Sequence, residues 1–305
     1  MPRPNFLVIG AYKSGTTSLD RYLRQHPEVF LPAVKEPNYF ATIGAEESDR
    51  PTSPGTIADR DRYVRLFDGV RDERAIGEVS PEYLVHPAAA AAIATELPEV
   101  RLIAVLRNPV ERAYSDFLMY LRDGREQLDF AGALAAQDER SQRGDPTGHY
   151  VDTGFYGAHL QRFYDRFDRD QLRVHLFEEL ASDPKALLCD LFGFLGVDPS
   201  FVPTDTGEHN VSGVPRNAAQ KALLKARAQL GPSLRRVVPA GLKHKIDRRI
   251  QAGLDRPPLP DECRRALVDV YRADLEHLGE LLGRDLGSWL SAAQPAGSEG
   301  VLDTD

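Results

Sequence analysis

The sequence predicts the α/β fold class, with a mostly parallel central sheet, helices on both faces of that sheet and a helical C-terminal part. Short apolar runs that are typical of buried strands occur at residues 6–9, 28–31, 74–79, 101–106 and 171–177. Helical spacing of apolar residues occurs between and after these runs, at 16–25, 87–96, 110–122, 156–168 and 184–195. Strand and helix patterns that alternate in this way indicate βαβ units, whose strands are parallel.

The chain of 305 residues is expected to form one domain. This domain covers residues 1–291, and its helical part begins at about residue 218. Residues 292–305 contain Gly, Pro, Ser and acidic side chains without periodicity, which predicts a disordered tail. A hydrophobic content of 42% and a charged content of 28% are ordinary for a soluble globular protein.

Charge and cysteine content restrict the partners and the compartment. The formal net charge of −8 disfavours nucleic acid as a partner. No apolar run is long enough for a membrane span, and the N-terminus lacks the apolar region of a signal peptide. Cys189 and Cys263 lie far apart without metal-ligand spacing, and the apolar run around Cys189 predicts a buried thiol. We therefore expect a cytoplasmic protein, and the sequence leaves its oligomeric state open.

The segment that follows the first apolar run has the features of a phosphate-binding loop. Residues 10–15 form a turn that contains two glycines, and helical spacing begins at Thr16. A helix N-terminus after such a turn presents backbone N–H groups and a positive dipole end to an anion. Lys13 adds a charge, and Ser14, Thr16 and Thr17 add hydroxyl donors. The alternative interpretation is a Ser/Thr-rich helix cap after a tight turn.

This loop differs from that of the nucleotide triphosphatases, in which the lysine directly follows the second glycine. Here Lys13 precedes Gly15 by two positions. The sequence K-S-G-T-T-S-L resembles the 5′-phosphosulfate loop of the sulfotransferases that use 3′-phosphoadenosine 5′-phosphosulfate (PAPS). The resemblance implies a P-loop-like three-layer fold. It also implies that the cofactor contacts Lys13, Ser14, Gly15, Thr16, Thr17 and Ser18.

A second motif follows the apolar run at 101–106, where the chain reads Arg107-Asn108-Pro109 and then resumes helical spacing. Sulfotransferases have a similar strand, an R-[DN]-P sequence and a helix with a serine eight residues after the arginine. The resemblance implies that Arg107 and Ser115 hold the 3′-phosphate of the cofactor. The planar donors of an arginine suit phosphate oxygens. Taken alone, an arginine in this position is also typical of a surface ion pair.

Three further segments support the resemblance, which extends from residue 5 to about 220. Residues 35–40, KEPNYF, are similar to the family's K-E-P-x-[FY]-F segment, and residues 77–84 are similar to its G-E-x-[ST]-P-x-Y segment. Residues 209–217, HNVSGVPRN, resemble a segment of bacterial members that closes over the nucleotide. This last likeness implies that Arg216 also contacts the 3′-phosphate. A loop arginine exposed to solvent is the alternative.

Sulfuryl transfer requires stabilisation of the leaving phosphate and deprotonation of the acceptor. Lys13 is suited to the first task. For the second we choose Glu36, because related glycan sulfotransferases carry a catalytic glutamate in a matching K-E-x-x-F-F segment. A surface pair between Lys35 and Glu36 is the alternative, and Glu78, His209 and His26 are weaker candidates for the base. The chemistry requires no metal ion.

The acceptor is expected to be a hydroxyl group, and less readily an amine, on a small molecule, a lipid or a saccharide. Val79 and Asn38 stand where glycan-type members often have lysine and histidine, which argues against a heparan-like acceptor. Two rival functions remain open. A kinase or other nucleotide triphosphatase would bind ATP with Mg²⁺, and a binding protein would hold the product 3′-phosphoadenosine 5′-phosphate (PAP) without transferring sulfate.

Overall fold

The computed structural model describes residues 2–43, 55–145, 149–204, 213–215 and 254–291. Five parallel strands form the central sheet in the order β2-β3-β1-β4-β5. These strands are β1 (Phe6–Gly10), β2 (Val29–Phe30), β3 (Ala75–Val79), β4 (Arg101–Leu106) and β5 (Leu172–Leu176). Each apolar run singled out in the sequence contains one of them, so the predicted parallel sheet is confirmed.

Eleven α-helices occur in the described part of the chain. They are α1 (Thr16–Leu23), α2 (Arg60–Val64), α3 (Glu82–Val85), α4 (Ala89–Glu96), α5 (Pro109–Arg122), α6 (Phe130–Ala135), α7 (Gln137–Gln142), α8 (Tyr156–Tyr164), α9 (Phe177–Ser182), α10 (Pro184–Leu195) and α11 (Asp261–Leu282). Every helical pattern noted above matches a helix. The short helices α2, α3, α6, α7 and α9 were not predicted, because their apolar periodicity is too brief to stand out.

Side chains that alternate along β1 point to opposite layers, as expected for a strand. Leu7 and Ile9 belong to one hydrophobic core, which includes buried residues of α4, α5, α8 and α11. Phe6 and Val8 belong to a second core, which includes buried residues of α1 and α10. The sheet is therefore covered by helices on both faces, and the predicted three-layer architecture is confirmed.

The sheet order creates a crevice at the carboxyl ends of β1 and β4. These two strands are neighbours, but the helices that follow them pack on opposite faces, α1 with the second core and α5 with the first. Adjacent strands whose connections diverge leave a gap between the two loops, and ligands of open parallel sheets bind there. Both sequence motifs, the loop before α1 and the segment Arg107–Pro109, lie at this gap.

The C-terminal part is described only in pieces. Two short strands, β6 (Val214–Pro215) and β7 (Leu254–Asp255), pair antiparallel. After α11, Trp289 lies in a 3-10 helix, Gly287–Leu290, and is buried. Helices were predicted for residues 218–255, of which 218–253 lie outside the described residues, as does the predicted tail 292–305. The prediction is wrong for Leu254–Asp255, which form β7. In the described ranges, no helix combines the length and apolarity that a membrane crossing requires.

One prediction about the core is wrong. Cys189 was expected to be a buried thiol, but it is exposed. The reason lies in the helix α10, whose apolar residues Leu187, Leu188 and Leu191 face the core and leave position 189 on the outer side. Cys263 is the buried cysteine.

Candidate active site

The loop between β1 and α1 is held against the neighbouring strand β4. The backbone N–H of Ala11 donates to the carbonyl of Val105 at 2.9 Å, and that of Ser14 donates to Ala11 O at 3.3 Å. Gly15 has a φ of +85°, and a Cβ at this position would lie 2.7 Å from Leu180 Cδ2. Only glycine therefore fits where the loop turns into α1.

The N-terminus of α1 faces the crevice with its first-turn amides. Gly15 is the N-cap residue and has no side chain that could cap the helix. The first backbone bond of the helix runs from Leu19 N to Gly15 O at 3.0 Å, so the amides of Thr16, Thr17 and Ser18 precede it. Amides in this position and the positive end of the helix dipole suit an anion. These residues and the buried Ser14 make up the predicted cradle, and their contact with an anion stays a prediction.

Lys13 lies at the apex of the loop in a left-handed conformation, with a φ of 62°. Its Nζ contacts the thioether of Met119 on α5, with an N–S distance of 3.4 Å. Burial lowers the pKa of Lys13 to about 8, against an opposing effect of Asp116, while Arg122 and Arg107 lower it further. Binding of an anion beside such a poorly compensated lysine would stabilise its protonated form.

Arg107 connects the second motif to the first. Its Nη1 donates to the carbonyl oxygen of Lys13 at 3.1 Å, and its guanidinium packs 4.7 Å from the ring centroid of Phe177. Burial lowers the pKa of Arg107 to about 10, and Arg256 lowers it further. The structure thus brings together the two basic residues that the sequence singled out.

The helix after Arg107 begins at a well-defined cap. Asn108 Oδ1 accepts from the amides of Val110 at 3.0 Å and Glu111 at 3.4 Å, and Pro109 occupies the first turn. Ser115 lies on the buried side of this helix and is 1% exposed. Arg216, the third residue predicted to contact the 3′-phosphate, lies outside the described residues.

Glu36 follows β2 and lies beside the carboxyl end of β3. Its backbone N–H donates to Val79 O at 3.1 Å, and its φ is 57°. The carboxylate forms an ion pair with Lys35 through Oε1, and the side chain is 35% exposed. The pair that our alternative interpretation predicted is therefore present. The contact with Lys35 engages Oε1. The role of Glu36 as a base stays a prediction.

Glu78 is buried at the end of β3, with 1% of its surface exposed. Its Oε1 accepts from the hydroxyls of Tyr63 at 2.9 Å and Tyr83 at 2.6 Å, and its Oε2 accepts from Ser80 Oγ at 2.6 Å. Burial raises the pKa of Glu78 to about 7, although the three hydroxyls oppose this shift. The carboxylate has no route to solvent, which argues against direct contact with an acceptor.

Sequence comparison agrees with the motifs. The sequence model of the sulfotransferase family matches residues 4–201. The chain belongs to the sulfotransferase family. A solved sulfotransferase from Alicyclobacillus acidocaldarius is 35% identical to it with a TM-score of 0.73, and the match covers 95% of this chain and all (100%) of that chain.

Curated relatives from mammals match as well. Mouse heparan sulfate glucosamine 3-O-sulfotransferase 3A1 is 27% identical over 284 residues, and human heparan sulfate glucosamine 3-O-sulfotransferase 3B1 is 30% identical over 284 residues. Each match covers 93% of this chain but only 64% of the relative. This member of the sulfotransferase family therefore spans somewhat less than two thirds of the length of these proteins.

Of the two histidines considered as bases in this sulfotransferase-family chain, the structure describes only His26. His26 Nδ1 accepts from Glu28 N at 3.1 Å, so Nε2 carries the hydrogen and donates to Asp198 O at 3.0 Å. With both nitrogens engaged and the ring packed between Phe192 and Phe201, His26 has a structural role. His209 lies outside the described residues.

Sequence reasoning missed three contacts around the site of this sulfotransferase-family member. Phe177 was assigned to the strand before it, but it begins α9 and covers Arg107. Arg256 pairs with Glu111 on α5 at 3.0 Å, and no motif marks it. The Tyr12 hydroxyl donates to Glu82 Oε2 at 3.3 Å. The tyrosine directly before Lys13 was a signal that could have been used.

Proposed function

We propose that this protein transfers the sulfuryl group of PAPS to a hydroxyl group, and less readily to an amine. The observation that carries the proposal is the bond between Arg107 and the carbonyl of Lys13 at the crevice. It ties the guanidinium of Arg107 to the backbone of the loop that carries Lys13, and both residues are partly buried. PAPS has two anionic ends, the phosphosulfate and the 3′-phosphate. The family membership and the likeness to a solved bacterial sulfotransferase support the same activity.

The residues present fit this co-substrate. The loop residues Lys13, Ser14, Gly15, Thr16, Thr17 and Ser18 would hold the phosphosulfate, since they combine a cation, hydroxyls and first-turn amides. Arg107, Ser115 and, outside the described residues, Arg216 would hold the 3′-phosphate. The lowered pKa of Lys13 supports this assignment, because an adjacent anion favours the protonated form.

In the proposed mechanism, Lys13 and the amides of α1 stabilise the negative charge that develops on the leaving phosphate. Donors that are already oriented toward that charge need little rearrangement during the reaction, which is why such groups lower barriers. The mechanism requires no metal ion. In the described ranges, no three His, Cys, Asp or Glu side chains converge as possible metal ligands, and metal independence stays part of the proposal.

Glu36 is proposed to accept the proton of the acceptor hydroxyl. Its backbone is fixed to the end of β3, the neighbour of β1, so the carboxylate lies at the same edge of the sheet as Lys13. The side chain is about a third exposed, so an acceptor that enters from solvent can reach it. Lys35 holds one oxygen and thereby restricts the rotamers of the carboxylate.

The acceptor is proposed to be a small-molecule, lipid or saccharide hydroxyl. The mammalian relatives are named for heparan sulfate, which favours a saccharide. Val79 and Asn38 weaken that argument, because they replace a lysine and a histidine of the glycan-type motif. We also propose that the protein acts in the cytoplasm and does not bind nucleic acid, in keeping with its net charge of −8.

A transfer assay tests the proposal directly. We expect ³⁵S-labelled PAPS to label at least one acceptor in a panel that contains 4-nitrophenol, a long-chain alcohol and desulfated heparan sulfate oligosaccharides, in the presence of EDTA. Thermal denaturation should show stabilisation by PAP but none by ATP with Mg²⁺. Stabilisation by ATP with Mg²⁺ but not by PAP would indicate a triphosphatase. PAP binding without transfer to any acceptor class would indicate a binding protein instead.

Replacing Arg107 by alanine should remove most of the preference for a 3′-phosphate. We expect the native protein to bind PAP at least roughly 100-fold more tightly than adenosine 5′-phosphate, because hydrogen bonds between charged groups are the stronger ones. Calorimetry should show this ratio fall in Arg107→Ala. Arg173→Ala is a matched control, since Arg173 pairs with Asp190 on the outer side of β5. Equal affinity of the native protein for both nucleotides would contradict the assignment.

A further inference from the structure

The buried Glu78 gathers hydroxyl groups that reach beyond it. Tyr63, Tyr83 and Ser80 all use their hydroxyl hydrogen to donate to this carboxylate. Each hydroxyl oxygen is then left with lone pairs only, so it can accept further hydrogen bonds but cannot donate another. In its ionised form the Glu78 carboxylate only accepts, so that form fixes the direction of all three hydroxyl hydrogen bonds.

Two of these hydroxyls accept from the backbone of the segment that carries Glu36. Ser80 Oγ accepts from Asn38 N at 3.2 Å, and the Tyr83 hydroxyl accepts from Phe40 N at 3.5 Å. Among the described residues, the third hydroxyl, that of Tyr63, bonds to Glu78 and not to this segment. The Tyr63 ring contacts the segment by stacking on Tyr39, at 4.3 Å between centroids. Ser80 and Tyr83 therefore hold the backbone of this segment by hydrogen bonds, whereas Tyr63 does not.

The backbone held in this way is strained. Glu36 and Asn38 have φ values of 57° and 51°, the left-handed region that residues other than glycine seldom adopt. Such conformations persist only where surrounding contacts determine them. The Asn38 amide is one of those contacts, and it lies two residues after the carboxylate that our mechanism uses as a base.

We propose that Glu78 is a positioning residue, which holds the Glu36 carboxylate in place through Ser80 and the amide of Asn38. The proposal rests on the proposed function, since it assumes that Glu36 serves the transfer step. Glutamine at position 78 would present an N–H₂ group to at least one hydroxyl. That hydroxyl would have to turn and accept from the amide, which competes with the hydrogen bond that it accepts from the segment 36–40 and weakens that bond. The raised pKa of Glu78 agrees with a carboxyl that is buried for a reason other than contact with an acceptor.

The test uses Glu78→Gln and two further variants, each of which removes one of the hydroxyl groups that donate to Glu78. Ser80→Ala also removes the acceptor for Asn38 N, whereas Tyr63→Phe keeps the ring and leaves that bond intact. We expect Ser80→Ala and Glu78→Gln to lower kcat by roughly 10-fold or more, since small misplacements of a catalytic group are costly. The KM for PAPS and the Kd for PAP should stay native. Tyr63→Phe should keep kcat within about twofold of native, because the positioning contact remains.

Amide hydrogen exchange provides a readout that does not depend on activity. Exchange of the peptide covering residues 36–40 should become faster in Ser80→Ala and Glu78→Gln but not in Tyr63→Phe. Native exchange in the first two variants, or equal acceleration in all three, would overturn the proposal. So would faster exchange with an unchanged kcat. If the native protein transfers no sulfate while the exchange pattern holds, the proposed function fails and the contact network itself stands.

Discussion

Replacing Glu36 by glutamine should lower kcat by about 10²–10⁴, because a positioned general base typically contributes this much. Glutamine keeps the size of the side chain, but it cannot accept the proton of the acceptor. Binding of PAP should remain native, since Glu36 follows β2 and not the strands that carry Lys13 and Arg107. The measurement is steady-state turnover with ³⁵S-labelled PAPS and the best acceptor of the panel, together with calorimetry of PAP.

Lys35→Gln serves as the matched control for this prediction. It removes the ion pair with Glu36 but leaves the carboxylate in place. We expect this variant to retain much more activity than Glu36→Gln. If Glu36→Gln were to transfer at the native rate while a substitution of His209 abolished transfer, the base would lie elsewhere. Equal losses in both variants would indicate that the pair, and not the carboxylate alone, is what the reaction needs.

Lys13→Ala should lower kcat by about 10²–10³, the usual effect of removing one donor that stabilises a developing negative charge. The fold should survive, because the folded state penalises the charge on this lysine: burial lowers its pKa to about 8. At pH 7 the penalty is fully present, so Lys13→Met, which keeps a long side chain, should match or exceed the native Tm. Near-native turnover of Lys13→Ala at saturating PAPS would remove Lys13 from the mechanism.

The pH profile gives a second measurement on Lys13. Below a pH of about 8 its amine is charged in the free protein, and above that value it is neutral. The ratio kcat/KM for PAPS reports the free protein, so it should decrease as the pH rises through about 8. Arginine stays charged at every accessible pH, so in Lys13→Arg this alkaline decrease should be absent. An unchanged decrease in that variant would assign it to another group.

Local sequence patterns predicted the layers of the fold and the two basic motifs. The apolar runs and the glycines of the loop encode their own geometry, because a strand, a turn and a helix N-terminus are made by neighbouring residues. Contacts between distant segments were out of reach. Nothing near Phe177 indicates that it covers Arg107, since this contact depends on the pairing of β4 with β5.

The same reason explains why the environment of Glu78 was missed. The sequence marked this glutamate as a strand-end residue, but burial raises its pKa, and one of the hydrogen bonds that oppose this shift comes from Tyr63. Tyr63 belongs to a short helix that no periodicity revealed. For Cys189, the apolar run was read correctly as buried helix, but the composition of a run does not tell which of its positions faces outward.

The position of β1 in the middle of the sheet separates the residues of the proposed site into two groups. Glu36 and Ser80 follow the strands on one side of it, whereas Arg107 and Phe177 follow the strands on the other side. Lys13 lies in the loop that follows the central strand, between these two groups of residues. On the proposed assignment, the connections after β2 and β3 contact the acceptor, and the connections after β4 and β5 contact the nucleotide. Substitutions in the first two connections can therefore change the acceptor without altering the nucleotide contacts.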